Sequence, residues 1–585
     1  MRLIKYLFQY FYHYKWSFII GLFFVVLSNV FGTFTPVFIR NLINEISASI
    51  QNPNSLNSNV YVIISKFIVY YLGFTLLSAL FTFLMRQTIV VASRKIEFEL
   101  KNDLYQQFQK MEITFFKTFK TGDLMSRIAE DIGRIREFIG PGYMYTINFI
   151  SKLVITIYLM YQVHPKLTLY ALLPLPLLSI FIYAINQKLY KNNLILQERL
   201  ASLNSMAQES YSGIRIIKSF VLENVLNKKF VDESLNYRHQ ALKIVRLDSL
   251  FMPVVTFLMS LSIIISIFAG GSFYIQKEIN IGQLVEFLMY VNMLTWPVMS
   301  IGWVANIIQK ANAALTRISD IMMQKTEPYQ DNEAIKFDLN GDIEFKNVTF
   351  TYPETGIKAL DGASFKIPFG QKWLIVGKTG SGKSTIAELL MKYYKIDSGE
   401  ILINGINIEK IPLEQVRQAF SYVPQEVFLF SDTVSNNISF GKEHIEFEDI
   451  EKAAENAQIA NEIKTLQNEY QTKVGERGIT LSGGQKQRIS IARGILKHAP
   501  FYLFDDCLSA VDVDTEYRLI ESFNHIEKAS LILITHRIFN QLSFDSVICM
   551  DNGKIVEMGS HEELIELKGK YYELYQKQEI KTDFI

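Results

Sequence analysis

Long apolar runs alternate with polar runs through the first half of the chain. A helix needs about 20 residues to cross the hydrocarbon core of a bilayer, and six runs are long enough. The third and fourth runs are separated only by a short turn that contains Pro165, and the fifth and sixth by the polar turn Gln276–Ile281. The pattern therefore predicts six transmembrane helices at Trp16–Ile39, Val60–Met85, Pro141–Val163, Leu167–Gln187, Leu250–Ile275 and Gly282–Ile308.

Two long polar segments separate the second span from the third and the fourth span from the fifth. Arg86–Gly140 and Lys188–Leu247 each carry ten Lys or Arg residues, whereas residues 41–59, after the first span, carry none. Because basic segments stay on the cytoplasmic side, both long segments and both termini are expected in the cytoplasm. Apolar residues recur at helical spacing, as at Ile96 and Leu100, so the membrane helices are predicted to extend into water.

Few ionisable residues lie inside the predicted spans. Residues 1–15 mix apolar and basic side chains without a cleavage site for a signal peptide, which predicts an interfacial amphipathic helix. Glu286, near the start of the sixth span, is either a functional intramembrane carboxylate or a solvated interfacial one. Pro297 predicts a helix kink. Few basic residues lie within the spans, which disfavours a strongly anionic lipid as cargo.

The second half of the chain has a different pattern. Residues 321–340 are rich in charged and turn residues and predict a linker, after which short β-rich runs alternate with helices. A chain of 585 residues with 49% hydrophobic and 20% charged residues fits one lipid-soluble and one water-soluble part. The net charge of +1 argues against a nucleic-acid partner. Two isolated cysteines make neither a disulfide framework nor a metal site.

A glycine-rich segment follows the apolar run Trp373–Val376. It matches G-x-x-x-x-G-K-S between a predicted strand and a predicted helix. Glycines allow backbone N–H groups to close around a phosphate, while Lys383 would neutralise phosphate charge and Ser384 would bind Mg²⁺. The segment therefore predicts binding of ATP and Mg²⁺, through Gly377, Lys378, Thr379, Gly380, Ser381, Gly382, Lys383, Ser384 and Thr385.

Further polar motifs follow this phosphate loop. Leu481–Gln485 reads LSGGQ, and the apolar run Phe501–Phe504 ends in Asp505. A carboxylate at the end of such a strand lies opposite the phosphate loop, where it can hold the Mg²⁺ shell. Another apolar run, Ser530–Thr535, precedes His536. The second half is thus predicted to be an α/β nucleotide-binding domain.

The order of these motifs resembles the ATP-binding cassette of ABC transporters, with Gln425 and Ser509–Asp512 at the expected places. The resemblance covers essentially the whole chain, because six spans fused before one cassette is the layout of bacterial exporter half-transporters of the lipid and multidrug type. Phe115–Arg127 and Ser212–Phe220 resemble the two intracellular coupling segments of that family. Gly475–Gly478 resembles the exporter segment that senses them.

The resemblance implies roles for individual residues. Tyr352 would stack on adenine, and Ser384, Gln425 and Asp505 would hold Mg²⁺. The signature LSGGQ would complete the nucleotide site of a second subunit, so two cassettes would enclose two ATP molecules. The other implied roles are catalysis by Asp506, His536 and Gln425, contact with the partner's nucleotide by Ser482, Gly483, Gly484 and Gln485, and a D-loop at Ser509 and Asp512.

One residue departs from the family pattern. Asp506 stands where the family usually has a glutamate that polarises the attacking water, and its side chain is one methylene, roughly 1.5 Å, shorter. This change resembles the weak-hydrolysis site of heterodimeric exporters. His536, Gln425 and LSGGQ are intact, however, so a slow homodimer remains open as well.

The predicted fold class is a multidomain chain: an all-α polytopic membrane domain over residues 16–320, followed by an α/β P-loop NTPase cassette over residues 341–580. The resemblance implies ATP-driven export of a lipophilic or amphipathic drug or lipid across the bacterial cytoplasmic membrane, with a second half-transporter and the lipid bilayer as partners. An ATP-gated channel or a regulatory ABC membrane protein is the alternative. The aromatic composition of the spans suits such cargo but equally suits lipid-facing packing.

Overall fold

The chain is described here from a computed structural model. It divides into two compact units, each with its own core: Met1–Gln109 with Thr121–Gln324, and Lys110–Lys120 with Lys325–Ile585. The structure describes residues 2–51, 59–324, 326–327, 336–442, 444–475, 481–526, 528–539 and 544–582.

The described residues of the first unit form helices joined by turns, with no strand among them. It contains six helical stretches that are long and apolar enough to cross a membrane, which confirms the six predicted spans: Lys15–Ala48, Ile64–Gln109, Thr121–Val163, Pro165–Ser212, Glu223–Ile275 and Ile281–Met322. The helices before the linker, of which α6 lies in the second unit, are α1 (Arg2–His13), α2 (Lys15–Thr33), α3 (Thr35–Gln51), α4 (Asn59–Met85), α5 (Val91–Gln109), α6 (Ile113–Thr118), α7 (Thr121–Ser126), α8 (Ile132–Glu137), α9 (Tyr143–Val163), α10 (Pro165–Leu172), α11 (Pro174–Ser212), α12 (Ile214–Ser219), α13 (Glu223–Asp248), α14 (Phe251–Ile275), α15 (Ile281–Met293) and α16 (Thr295–Met322).

These helices extend well past the apolar runs. The 48 residues of Pro165–Ser212 would measure about 70 Å at 1.5 Å per residue, more than twice the roughly 30 Å of hydrocarbon. The sixth span is interrupted between Met293 and Thr295. Pro297 lacks the amide hydrogen that would bond the carbonyl of Met293, so the interruption lies where a proline kink is expected.

Glu286 is buried inside the first unit, with a side chain only 2% exposed. One carboxylate oxygen lies 3.0 Å from a guanidinium nitrogen of Arg40, and the other accepts a hydrogen bond of 2.9 Å from the Tyr290 hydroxyl. The interpretation of Glu286 as a solvated interfacial residue is therefore wrong. Its charge is neutralised within the bundle, between α3 and α15.

The second unit is an α/β domain with two sheets. Its antiparallel sheet has the strand order β2-β1-β4-β5, and its larger sheet has the order β10-β9-β3-β8-β7-β6, parallel except for β10. The strands are β1 (Ile343–Thr351), β2 (Lys358–Ile367), β3 (Lys372–Gly377), β4 (Ser398–Ile403), β5 (Ile406–Asn407), β6 (Phe420–Val423), β7 (Phe501–Asp505), β8 (Ser530–Thr535), β9 (Ser546–Asp551) and β10 (Lys554–Gly559). The helices are α17 (Lys383–Leu390), α18 (Leu413–Ala419), α19 (Val434–Ile438), α20 (Phe447–Asn456), α21 (Ala460–Lys464), α22 (Gly483–Leu496), α23 (Val513–Asn524), α24 (His561–Leu567) and α25 (Lys570–Thr582).

The central strands β3, β8 and β7 are almost entirely buried. Their unbroken apolar sequences follow from this burial, because a parallel sheet covered on both faces has no polar side. The segment Lys110–Lys120 belongs to this second unit. The Lys117 ammonium donates a hydrogen bond of 2.5 Å to the Tyr394 hydroxyl and lies 3.5 Å from a carboxylate oxygen of Glu388, so the segment is held by polar contacts to the cassette.

Candidate nucleotide-binding site

Three neighbouring parallel strands bring the polar motifs together. The phosphate loop leaves β3, His536 follows β8, and β7 ends at Asp505. Ligands of open α/β sheets bind at the carboxyl ends of the strands, because all strands of the sheet deliver their loops to that edge. Motifs more than 120 residues apart in the sequence therefore meet at one edge of the sheet.

The phosphate loop is shaped by its glycines. Gly382 has φ +94°, and a Cβ built on it would lie 2.3 Å from the carbonyl oxygen of Ala359, so no other residue fits without displacement. Lys383 opens α17, and its ammonium donates hydrogen bonds of 2.8 Å to the carbonyl oxygens of Gly377 and Lys378. Burial lowers the pKa of Lys383, and the nearby carboxylates of Asp506 and Asp505 oppose that shift.

The remaining residues of the phosphate loop differ in their exposure to solvent. A loop that ends in the N-terminus of a helix is suited to an anion, because its backbone N–H groups point outward and the helix dipole adds positive potential. Ser381 and Thr385 are buried, Ser384 is intermediate, and Lys378, Thr379 and Gly380 are exposed.

A buried carboxylate lies beside this loop. The Ser384 hydroxyl donates a hydrogen bond of 3.0 Å to the Asp505 carboxylate, and burial raises the pKa of Asp505 to about 6. Hydroxyl and carboxylate oxygens are the donors that Mg²⁺ prefers, and a cation here would offset the cost of the buried charge. The described residues contain no cluster of three or more His, Cys, Asp or Glu, so phosphate and water oxygens would complete the shell. The residues fit Mg²⁺ on these grounds.

Asp506 contacts both of the other predicted catalytic residues, His536 and Gln425. Its Oδ1 lies 3.0 Å from His536 Nδ1, and its Oδ2 accepts a hydrogen bond of 3.2 Å from the Gln425 amide. The backbone of Asp506 is left-handed, with φ +46°, a conformation that costs of the order of 1 kcal/mol for a residue with a side chain. Its amide donates a hydrogen bond of 2.8 Å to the carbonyl oxygen of Ile534, which holds this turn against β8.

Tyr352, the predicted adenine contact, lies against the helix that follows the phosphate loop. Its hydroxyl is 2.9 Å from the Thr385 hydroxyl and donates a hydrogen bond of 2.8 Å to Glu388. Its ring meets the rings of Phe350 and Tyr394 edge to face. Stacking of this ring on adenine stays a prediction.

The signature segment forms the start of α22. The Ser482 hydroxyl accepts a hydrogen bond of 3.2 Å from the Gln485 amide, and the Gln485 side chain accepts one of 2.9 Å from the Ser482 amide, which is a capping box. A Cβ on Gly484 would lie 2.8 Å from the carbonyl oxygen of Ala510. The predicted D-loop therefore packs against the signature.

Two predicted D-loop residues have defined partners. The Ser509 hydroxyl accepts a hydrogen bond of 2.9 Å from the Gln487 side chain, and Asp512 caps α23 by accepting a hydrogen bond of 3.0 Å from the Thr515 amide. In the part of the chain that the structure describes, no hydrogen bond or ion pair joins residues 482–485 to residues 377–385. The predicted sensor Gly475–Gly478 lies largely outside the described residues, which resume at Leu481.

An ion pair beside His536 was not identified from the sequence. Arg537 donates a hydrogen bond of 2.9 Å to the carboxylate of Glu516 on α23, whose side chain is 8% exposed. Burial raises the pKa of Glu516, and Arg537 opposes that shift. The pair ties the turn that carries His536 to the helix that follows the D-loop. The one sequence signal was a charged residue directly after His536.

Comparisons with known proteins agree with this geometry. Residues 18–298 match the family ABC transporter transmembrane region, and residues 360–509 match the family ABC transporter. The chain is 32% identical to the multidrug resistance-like ATP-binding protein MdlA of Buchnera aphidicola, over 99% of this chain and 100% of that protein. It is 30% identical to an ATP-dependent lipid A-core flippase of Photobacterium profundum, over 87% of each.

A solved structure shares the fold. A bacterial ABC exporter of the Atm1 family with ATP bound superposes with a TM-score of 0.80, at 24% identity, over 96% of this chain and 99% of that one. Six membrane-crossing helices precede a cassette whose strand edge collects the phosphate loop, Asp505, Asp506 and His536. The chain therefore belongs to the ABC transporters, as a multi-pass membrane ATPase with an exporter-type transmembrane region fused to one ATP-binding domain.

Proposed function

We propose that this chain is one half of a dimeric exporter that moves a lipophilic or amphipathic drug or lipid out of the cytoplasmic leaflet of a bacterial membrane. The observation that carries the proposal is the fusion of a six-span unit to a cassette with a complete phosphate loop. Relatives over most of the chain are named for multidrug resistance and for flipping the lipid A core.

The signature segment supports a dimer. In the described residues it packs on its own D-loop and has no polar contact with its own phosphate loop. Glycines have no side chain to cover their backbone N–H groups, so a phosphate can approach these groups closely. Ser482, Gly483 and Gly484 are therefore expected to contact nucleotide held by a second subunit. ATP would then favour the closed dimer, and hydrolysis would remove that bias.

The second coupling segment also supports a partner. Helix α12 has no buried residue, and two of the apolar side chains at this turn, Ile216 and Phe220, are 63% and 70% exposed. Exposed apolar groups on a cytoplasmic turn mark an interaction surface. A cassette is the partner that the layout of the family implies for such a segment.

The hydrolytic step would rest on the residues around Asp506. Asp506 would accept the proton of the attacking water, Gln425 would orient that water, and His536 would hold the Asp506 carboxylate and favour charge on the terminal phosphate. Mg²⁺, held by Ser384, Asp505 and Gln425, would supply charge neutralisation for the phosphates. Because Asp506 is one methylene short, we propose the weak-hydrolysis half of a heterodimer, with a slow homodimer as the alternative.

The topology follows from the charge distribution. Both termini, the cassette and the two long basic segments would lie in the cytoplasm, and residues 1–15 would lie along the membrane surface. In the first unit, Tyr14 of this N-terminal segment donates a hydrogen bond of 2.6 Å to Glu99 on α5, which ties its end to the second span's extension.

The test is transport in inside-out membrane vesicles. Vesicles with the wild-type chain should accumulate a fluorescent amphipath only when ATP is added, and vesicles with Lys383→Ala should not. Purification of the chain from its native membranes should bring down a second cassette-bearing chain if the heterodimer proposal holds. An ATP-gated ionic conductance without accumulation of any amphipath would favour the channel alternative and overturn the proposal.

A further inference from the structure

Lys152 lies on the inner face of the third membrane-crossing helix. Three side chains of α9 that point outward, Ile150, Val154 and Tyr158, are 52–61% exposed. At about 100° of rotation per residue, Lys152 lies on the opposite side of the helix, together with the fully buried Thr156. Lys152 itself is partly buried. The lysine therefore faces the interior of the helical unit rather than the lipid side.

Lys152 lies too deep in the span for its ammonium group to reach the water at the membrane surface. Lys152 is the tenth of the 21 residues of α9, so the outer end of the helix at Val163 is about 16 Å away along the axis. A lysine near a span's end can extend its side chain to the interface, but one at the midpoint of a span is too far from either surface.

Lys152 also has no internal counter-ion. Its ammonium makes no hydrogen bond or ion pair with any residue that the structure describes. Within the six predicted apolar runs, Glu286 is the only carboxylate, and both of its oxygens are engaged, by Arg40 and by Tyr290. Charged groups at this depth are costly and are normally paired. A bound molecule with an anionic group would supply the negative charge that Lys152 lacks within these runs.

Two contacts establish how α2 and α9 lie side by side. The rings of Phe18 and Tyr143 meet edge to face at 5.3 Å, and further along both helices the Asn29 side chain donates a hydrogen bond of 2.6 Å to the Ser151 hydroxyl. The two helices are thus parallel, and residue 33 of α2 lies level with the turn of α9 that follows Lys152.

Two unused hydroxyl groups lie at this level. Thr33 is one turn beyond Asn29 on α2, and Thr156 is one turn beyond Lys152 on α9. Both are fully buried, and both hydroxyls lack a hydrogen-bond partner among the described residues. A buried hydroxyl without a partner costs about 1–3 kcal/mol, which a ligand with acceptor oxygens would recover.

We propose that Lys152, with Thr156 on the same face of α9 and Thr33 at the same depth on α2, receives the anionic oxygens of an amphipathic substrate midway through the membrane. The inference deepens the proposed export function and rests on it. It names the substrate class as an amphipath with a phosphate or carboxylate head, whose chain would lie among the apolar side chains of the bundle. The low number of basic residues within the spans led us to expect no strongly anionic cargo. The proposal replaces that expectation, because one partly buried lysine is enough to bind one anionic head group.

The experiment uses the assembled transporter in vesicles of phosphatidylcholine, so that the added probe is the only anionic amphipath. Dodecyl phosphate and dodecyltrimethylammonium, which share one chain and differ in charge, are titrated against ATPase activity and ATP-driven uptake. The variants are Lys152→Gln, Lys152→Arg and Lys152→Glu. Lys66→Gln is the matched control, because Lys66 is an exposed lysine of another span.

Wild type and Lys66→Gln should respond to dodecyl phosphate at low concentration. Lys152→Gln should raise the half-maximal concentration at least about tenfold, and Lys152→Arg should stay within about threefold. Lys152→Glu should shift the preference to dodecyltrimethylammonium. Thr33→Val and Thr156→Val should each raise the half-maximal concentration about threefold.

The proposal is overturned if the wild type shows no preference for the phosphate, or if Lys152→Gln transports dodecyl phosphate like the wild type. A phosphate lipid that copurifies with the protein in a Lys152-dependent manner, while uptake is unchanged, would also overturn it, since the lipid would then be a fixed component. Failure of ATP-driven uptake for every amphipath would instead count against the proposed export function, which separates the two outcomes.

Discussion

The two sides of the nucleotide site are built differently. On the phosphate-binding side, Lys383 and Asp505 are buried, and regular elements hold both: the first turn of α17 and the last residue of β7. On the hydrolytic side, Gln425 and His536 are exposed and lie on loops, and Asp506 stands in a left-handed turn.

The difference separates holding the nucleotide from cleaving it. The buried side has its hydrogen bonds in place without ligand, so it is preorganised for phosphate. The exposed side converges on Asp506 through two contacts between loop side chains, of 3.0 Å to His536 and 3.2 Å to Gln425. Under the proposed function, a second subunit would complete these exposed loop groups, and hydrolysis would be the step that depends on assembly.

The largest effect is expected on the phosphate-binding side. Lys383→Ala should lower ATP turnover by at least about 10²-fold, because removal of a preorganised charge that faces the phosphates costs of that order. Turnover is measured by phosphate release from the reconstituted transporter. Lys346→Ala, at an exposed lysine of the antiparallel sheet, is the control and should keep wild-type turnover; normal turnover in Lys383→Ala would refute the site.

The next effect tests the reach of Asp506. Asp506→Asn should reduce turnover by about 10²-fold, because the base is lost while the shape is kept. Asp506→Glu should raise turnover several-fold, because its longer side chain restores roughly 1.5 Å of reach. If Asp506→Glu leaves turnover unchanged while Asp506→Asn abolishes it, Asp506 is already a competent base and the heterodimer proposal loses its motivation.

A smaller effect is expected for the ion pair behind the hydrolytic side. Glu516→Gln should lower kcat about three- to tenfold with KM for ATP nearly unchanged, since Arg537 would lose the partner that holds the turn of His536. Steady-state kinetics measure the changes in kcat and in KM separately. Glu521→Gln, at an exposed position of the same helix, should behave as the wild type. A rise in KM alone would assign the pair to nucleotide binding.

The smallest effect concerns stability without nucleotide. The pKa of Asp505 is raised from its ordinary 3.8 to about 6 in the folded cassette, so its ionisation opposes folding fully above pH 6, and this cost fades as the pH falls toward 3.8. Asp505→Asn keeps the Ser384 contact and removes the charge. It should raise the cassette's unfolding midpoint by about 2–6 °C at pH 7.5, and by less than half as much at pH 4.5. An equal gain at both pH values would contradict the assignment.

Local patterns predicted much of this molecule. The apolar runs indicated six spans, and the strand before Gly377 and the glycines after it indicated the phosphate loop, because hydrophobic length and glycine spacing are properties of adjacent residues. Contacts between elements that are distant in the sequence could not be predicted from these local patterns. The Glu516–Arg537 pair and the Arg40–Glu286 pair join residues 21 and 246 positions apart.

The placement of single charges was equally unpredictable. Lys152 is one basic residue among many in the sequence. The structure singles it out by the face of α9 on which it lies, and the one carboxylate of the six predicted runs, Glu286, is already paired with Arg40. The segment Lys110–Lys120 overlaps Phe115–Arg127, which resembles a coupling segment. The sequence did not show that it groups with the cassette, because its contacts depend on where the chain turns at the end of α5.

The central claim is that ATP bound at this cassette drives movement of an amphipath across the bilayer. Its most direct test is ATP-dependent uptake of a fluorescent amphipath into inside-out vesicles that contain the wild-type transporter, beside vesicles with Lys383→Ala at equal protein content. The account predicts accumulation against a gradient in the first and none in the second. Equal uptake in both, or uptake that proceeds without ATP, would contradict it.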